Sequence, residues 1–110
     1  MEPPSAGSVV LVPFPFSDLS RSKLRPSIIL ADVGRGDYVL CQVTSNPYSD
    51  PIAVELSDDS FAVGSLQRAS FARPGKLFTA HESIIQATVG TLRPDVLRAV
   101  LDRVIDILRP

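Results

Sequence analysis

Hydrophobic positions along the chain follow two different spacings. Up to Leu92 they fall in short, β-branched runs such as Val9–Val12, Ile28–Leu30 and Val39–Val43, separated by clusters of Pro, Gly, Asn, Asp and Ser. Runs of this kind, bounded by turn residues, read as strands. After Pro94 the spacing changes. Val96, Leu97, Val100, Leu101, Val104, Ile105 and Leu108 recur every three or four residues, which makes one apolar stripe on an amphipathic helix. Pro94 suits the first helical position and Asp95 the positive end of the helix dipole. Several short strands followed by one helix predict a mainly β chain: a small, strongly bent β-barrel with a C-terminal helix packed on it.

Taken in order, residues 1–7 are a flexible Pro-, Ser- and Gly-containing lead-in, and Ser8 to Phe14 is the first strand. Its Val-Val-Leu-Val run leaves no polar face, which suits a strand covered on both sides. Pro13 and Pro15 cannot donate ladder hydrogen bonds, so that strand ends there or runs along an edge. Pro15 to Leu24 reads as a long, elaborated hairpin loop carrying aromatic, hydroxyl and cationic side chains together. Arg25 to Val33 is the second strand, with Arg25 held extended by Pro26. A turn at Gly34–Asp37 leads to a third strand, Tyr38 to Ser45, and a Pro-rich loop follows to Pro51. Further strands are expected at Ile52–Leu56, Ser65–Phe71, Lys76–Thr79 and Gln86–Leu92. Arg73-Pro74-Gly75 is read as a turn between two of them, and Ala80–Ile85 as a single helical turn.

Composition narrows the function classes. The chain of 110 residues is enough for one domain and one core. A hydrophobic share of 45%, a charged share of 21% and a net charge of -1 fit a soluble globular protein and argue against a general nucleic-acid coat protein. A local basic site remains open, because clustering sets the field in a cleft. Cys41 is the single cysteine, so no intrachain disulfide is available and a reducing, cytoplasmic setting is expected. No apolar run approaches the roughly 20 residues of a membrane span, and the first residues lack the basic start and apolar core of a signal peptide. One Cys, one His and an isolated Asp58-Asp59 pair offer no credible metal site, and no cofactor is expected.

Several stretches together resemble the MazF/PemK family of bacterial toxins from type II toxin–antitoxin pairs. They are Gly7-Ser8-Val9-Val10-Leu11-Val12-Pro13-Phe14-Pro15-Phe16, Lys23-Leu24-Arg25-Pro26-Ser27-Ile28-Ile29-Leu30, Cys41-Gln42-Val43-Thr44-Ser45 and Ser70-Phe71-Ala72-Arg73-Pro74-Gly75-Lys76-Leu77-Phe78-Thr79, with the terminal helix after them. Their order and spacing carry the resemblance, which spans nearly the whole chain. Ser8 stands where an acidic residue is frequent. The resemblance implies an SH3-like barrel, a homodimer, an antitoxin partner, and metal-independent cleavage of single-stranded messenger RNA to a cyclic phosphate and a free 5′-hydroxyl. It also implies roles for Arg25, which begins the second strand, and for Thr44, which ends the third. A further Arg and Asp used by some members are replaced by Phe78 and His81.

Cleavage through the RNA 2′-hydroxyl needs a proton acceptor, a cation for the crowded phosphorane and a donor for the leaving oxygen. Arginine stays charged and offers a planar fork to phosphate oxygens, which suits Arg25 to the second task; pairing with Asp18 or Asp32 is the competing structural explanation. Thr44 and Ser45 present hydroxyls that can donate to phosphate without adding charge, although threonine is also common in strands for packing. His81 is the sole histidine and sits beside Glu82, so it is a candidate acid or base or an ordinary turn residue. Phe16, Ser17, Ser20 and Lys23 of the hairpin loop, with Ser45, form the candidate RNA-binding set, in which rings stack on bases and cations meet phosphates. Tyr48 is a further stacking candidate, whereas Phe14 fits the core. Two other readings also remain: a non-catalytic, protein-binding toxin similar to CcdB that poisons gyrase, built on the same barrel, and a decayed paralogue with neither activity.

Overall fold

A computed structural model describes residues 3–15 and 22–110. Among these described residues seven strands, β1 (Ser8–Pro15), β2 (Ser22–Gly34), β3 (Asp37–Thr44), β4 (Val54–Leu56), β5 (Phe61–Gly64), β6 (Ser70–His81) and β7 (Ala87–Leu92), precede one helix, α1 (Pro94–Leu108). Single 3₁₀ turns at Asp58–Ser60 and Glu82–Ile84 join β4 to β5 and β6 to β7. The strands form one curled antiparallel sheet in the order β4-β6-β3-β2-β1-β7-β5. This is the mainly β, helix-capped architecture that the hydrophobic pattern predicts. Among the described residues no helix is long and apolar enough to cross a membrane.

Both faces of the sheet are apolar. One cluster joins Val9, Ile28, Leu30, Cys41, Val43, Leu56, Ala72 and Leu92 to Val100 and Val104 of α1. The other joins Val10, Val12, Ile29, Tyr38, Leu40 and Ala80, with Phe14, Phe78 and Ile85 packed against it. Consecutive residues of β1, β2 and β3 therefore enter opposite layers, which is why their sequences lack a polar alternation. Pro13 and Pro15 sit beyond Leu11, where the pairing of β1 with β7 ends, and face β2 on the other side. Their missing N–H groups leave the β1–β7 ladder intact.

Three expectations are corrected. The hairpin arms run further than the sequence suggested, so Lys23 and Leu24 are strand residues opposite Phe14 and Pro13. Phe16, Ser17 and Ser20 lie outside the described residues. Arg73-Pro74-Gly75 is not a turn: β6 continues through it as a bulge, with Leu77 opposite Cys41 but Ala72 opposite Val43. Pro74 is fully buried in that bulge, a position at which a residue without an N–H is tolerated. The apolar stripe of α1 also outruns the sheet. Val100 and Val104 are buried, but Ile105 and Leu108 are 53% and 71% exposed.

Close backbone approach fixes the far side of the sheet. Gly64, at φ 75°, lies opposite Gly90, and a Cβ on Gly64 would collide with the Val89 carbonyl. A Cβ on Gly90 would stand 2.7 Å from the Val63 carbonyl oxygen. Gly64→Ala combines a left-handed φ with a backbone clash, so it is expected to destabilise the protein by about 2 kcal/mol or more. Urea denaturation of the variant beside Ala62→Gly, at an exposed position of the same strand, is the check; equal midpoints would contradict the crossing.

Candidate functional site

The β2–β3 ladder places Ser27 opposite Gln42. Continued by two residues beyond that last pair, the same register would bring Arg25 opposite Thr44 on one face of the sheet, and both line one cleft. The paired ladder ends at Ser27 because Pro26 has no N–H to contribute. Pro26 also keeps Arg25 extended, so the guanidinium leaves a strand position opposite Val12 rather than a turn.

Arg25 and Thr44 line a cleft of about 240 Å³ together with Lys23, Ser45, Arg68 and Ser70, against apolar groups of Leu11, Leu24, Pro26, Val43 and Leu66. Three cations and three hydroxyls thus meet in one concavity, and among the described residues no carboxylate lines it. A chain with net charge -1 concentrates positive charge here. Apolar walls focus that field, and the cleft is built to hold an anion. Thr44 is nearly buried, and its Oγ1 accepts the Asn46 N–H at 3.2 Å, which leaves the hydroxyl hydrogen available to donate. Ser45 stands exposed at the rim.

Four of the sequence candidates, Lys23, Arg25, Thr44 and Ser45, are therefore brought together. His81 is not. It lies opposite Asp37, at the other end of β3 from Thr44, a separation of about 23 Å for an extended strand. Antiparallel pairing forces this, because the end of β6 must meet the start of β3. His81 instead begins the 3₁₀ turn, its Nδ1 accepting the Ser83 N–H at 3.1 Å. Phe14 packs edge-to-face on Phe78, with ring centroids 5.1 Å apart, as a core residue.

Nothing in the sequence marks Arg68 and Ser70, which fall inside the strand expected from Ser65 to Phe71. In the structure the chain reverses before β6, with Gln67 at φ 64°. Ser65 ties the turn down by donating from Oγ to Asp58 Oδ1 at 2.6 Å and accepting the Gln67 N–H at 2.9 Å. Ser70 Oγ then donates to the Arg68 carbonyl at 3.3 Å. The Ser-x-Gln spacing was the available local signal for a turn, but only the tertiary fold carries Arg68 to Arg25.

The loop after Thr44 is fastened from behind. Arg73 Nε donates to Asp50 Oδ2 at 3.1 Å, and the Ile52 N–H donates to Asp50 Oδ1 at the same length. These contacts, the Ile52 N–H first and the Arg73 guanidinium second, hold the Asp50 carboxyl below its ordinary range. Beneath the bulge, the Cys41 Sγ donates to the Arg73 carbonyl at 3.2 Å. Burial pushes the Cys41 thiol up to about 12, so it stays protonated and is no nucleophile. Because the folded Asp50 pKa is depressed, its stabilisation is present above the unfolded value near 3.8 and fades as pH falls through the lower folded value. The parent is accordingly expected to melt above Asp50→Asn at pH 7, with the gap closing below about pH 4. A constant gap down to pH 2 would remove the carboxylate from the account.

Comparisons with known proteins bear on the family and the fold. Residues 5–108 match the family model described as PemK-like, MazF-like toxin of type II toxin–antitoxin system. No curated protein matches the chain by sequence. Among solved structures, a MazE–MazF complex from Deinococcus radiodurans is similar at a TM-score of 0.76 and 20% identity, over 98% of this chain and 97% of that one. MazF alone from the same organism gives 0.74 and 21%, with 98% of each chain covered. An endoribonuclease in complex with its cognate antitoxin from Mycobacterial species gives 0.70 and 16%, over 98% of this chain and 95% of that one. At these identities the structures speak for the fold alone, whereas the family model covers almost the entire sequence. The chain belongs to the PemK-like, MazF-like toxin family of type II toxin–antitoxin systems.

Proposed function

We propose that the protein is an endoribonuclease toxin that cleaves single-stranded messenger RNA in the cytoplasm and is silenced by a cognate antitoxin. The observation that carries this reading is the convergence of Arg25 and Thr44, from different strands, in a cleft with two more cations. The scissile phosphate lies against Arg25, whose fixed charge stabilises the phosphorane formed when the neighbouring 2′-hydroxyl attacks. The 2′-oxygen–phosphorus bond forms as the 2′-hydroxyl gives its proton to solvent water, the 5′-oxygen–phosphorus bond breaks as the leaving oxygen takes a proton from solvent water, and the products are a 2′,3′-cyclic phosphate and a 5′-hydroxyl. Thr44, fixed through Asn46, donates its hydroxyl to a phosphate oxygen. Lys23 and Arg68 hold flanking phosphates, and Ser45 and Ser70 add neutral donors. The residues of this cleft act by positioning and by charge, so no bound metal or cofactor takes part in the proposal.

The structures of MazF with MazE, and of a mycobacterial endoribonuclease with its antitoxin, support an antitoxin as the partner here. A homodimer, in line with the family, is part of the same reading. The test is incubation of the purified protein with a long single-stranded RNA in EDTA, followed by primer extension. Discrete cuts are expected, and Arg25→Ala is expected to lower the cleavage rate about 10³-fold, the scale of removing one preorganised electrostatic contact. His81→Ala, at the far end of β3, is expected to cut at the parent rate. Intact RNA with the parent protein, or undiminished cutting by Arg25→Ala, would overturn this mechanism.

A further inference from the structure

Tyr48 occupies a conformation that the fold must enforce. Its φ is 53° and that of Ser49 is 58°, two successive left-handed residues of which neither is glycine. Such backbone costs energy and persists only where the surroundings over-determine it. Here Asn46 Oδ1 accepts the Tyr48 N–H at 2.9 Å, and the Asp50 N–H donates to the Pro47 carbonyl at 2.9 Å. Asp50 in turn is held by Arg73 at 3.1 Å. The result is a tyrosine that is 65% exposed, while the other tyrosine, Tyr38, is buried in the core.

The ring is also backed on one side. The guanidinium carbon of Arg73 lies 5.5 Å from its centroid. That leaves a free aromatic face on a fixed support, three residues past the rim hydroxyl of Ser45 and so within about 11 Å of it along the chain. An exposed ring on a strained backbone, a few residues along the chain from a cationic cleft, serves no core, and its chemistry matches one class of ligand. A nucleobase presents a flat π-face that stacks on such a ring, and the Arg73 guanidinium behind the ring, its charge paired with Asp50, holds the ring in place.

We propose that Tyr48 is the base-stacking platform for a nucleotide flanking the scissile phosphate, with Arg73 as the positioning residue that sets its ring; this rests on the ribonuclease reading above. The unpaired base leaves the strand path and stacks on the open face of Tyr48, while its phosphate remains with the cleft cations. Stacking of this kind is tolerant of base identity, so Tyr48 governs affinity and the placement of the strand more than recognition of one base.

The chain contains no tryptophan, so Tyr48→Trp introduces a single reporter at the platform. Its emission is followed while 2′-O-methyl homopolymers and a random-sequence 2′-O-methyl RNA pool, neither of which can be cleaved, are added. Fluorescence polarisation of labelled oligonucleotide measures binding independently. Saturable quenching that tracks binding is expected. In steady-state cleavage, Tyr48→Phe is expected to behave as the parent. Tyr48→Leu, which keeps apolar bulk but has no ring, is expected to raise KM about ten-fold with kcat within two-fold, the scale of one lost stack. Binding without quenching, or a Tyr48→Leu protein with the parent KM, overturns the platform even if RNA is cut. Quenching with no cleavage by the parent overturns the ribonuclease reading and leaves the platform standing. Absence of binding to every oligonucleotide overturns both.

Discussion

The pairing of β2 with β3 is the constraint on which the rest of the molecule depends. Ile28, Ile29 and Leu30 alternate between the two apolar clusters, and Leu40 and Cys41 do the same on the partner strand. A slip of one residue would exchange the layers of every one of these side chains, and neither layer could accept the exchange without repacking. The register is therefore fixed from both faces at once. Arg25 and Thr44 lie just beyond the last pair of that ladder and inherit its precision. The cleft is held by the core, although it sits at the margin of the sheet.

The bulge in β6 is the second element of this arrangement. By inserting extra residues opposite β3 it buries Pro74 and turns Arg73 outward toward Asp50 and Tyr48. The strand that backs Thr44 thus also fastens the loop that follows Thr44. Cys41, whose thiol donates to the Arg73 carbonyl, anchors the bulge to β3 from within the core. Packing, bulge and loop form one continuous piece of structure, which is what a preorganised site requires.

Charge is arranged with similar economy. The protein is close to neutral overall, yet Lys23, Arg25 and Arg68 face one concavity while the carboxylates lie elsewhere among the described residues. Asp50 is neutralised locally by Arg73, and the acidic cluster of Asp32, Asp37 and Glu82 gathers at the opposite end of β3. Total charge says little about such a protein, because any anion responds to the local field.

Sequence by itself determined the class of the fold. The change from β-branched runs to a helical stripe at Pro94 marks the helix, and the unbroken apolar character of Val9–Val12 announces burial on both faces. It also pointed to Arg25 and Thr44, through Pro26, strand ends and family resemblance. It misjudged Arg73-Pro74-Gly75, because a proline–glycine pair carries the same local signal in a bulge as in a turn, and only the pairing partner distinguishes them. His81 looked suitable because histidine chemistry is legible in one residue, whereas its place at the far end of β3 follows from antiparallel order. Arg68 stayed hidden for the converse reason. Nothing in its neighbours marks it, and its nearness to Arg25 is a long-range contact between the turn before β6 and the start of β2. Periodicity is local and survives in a linear string; which strand ends share a cleft is decided only when the sheet curls.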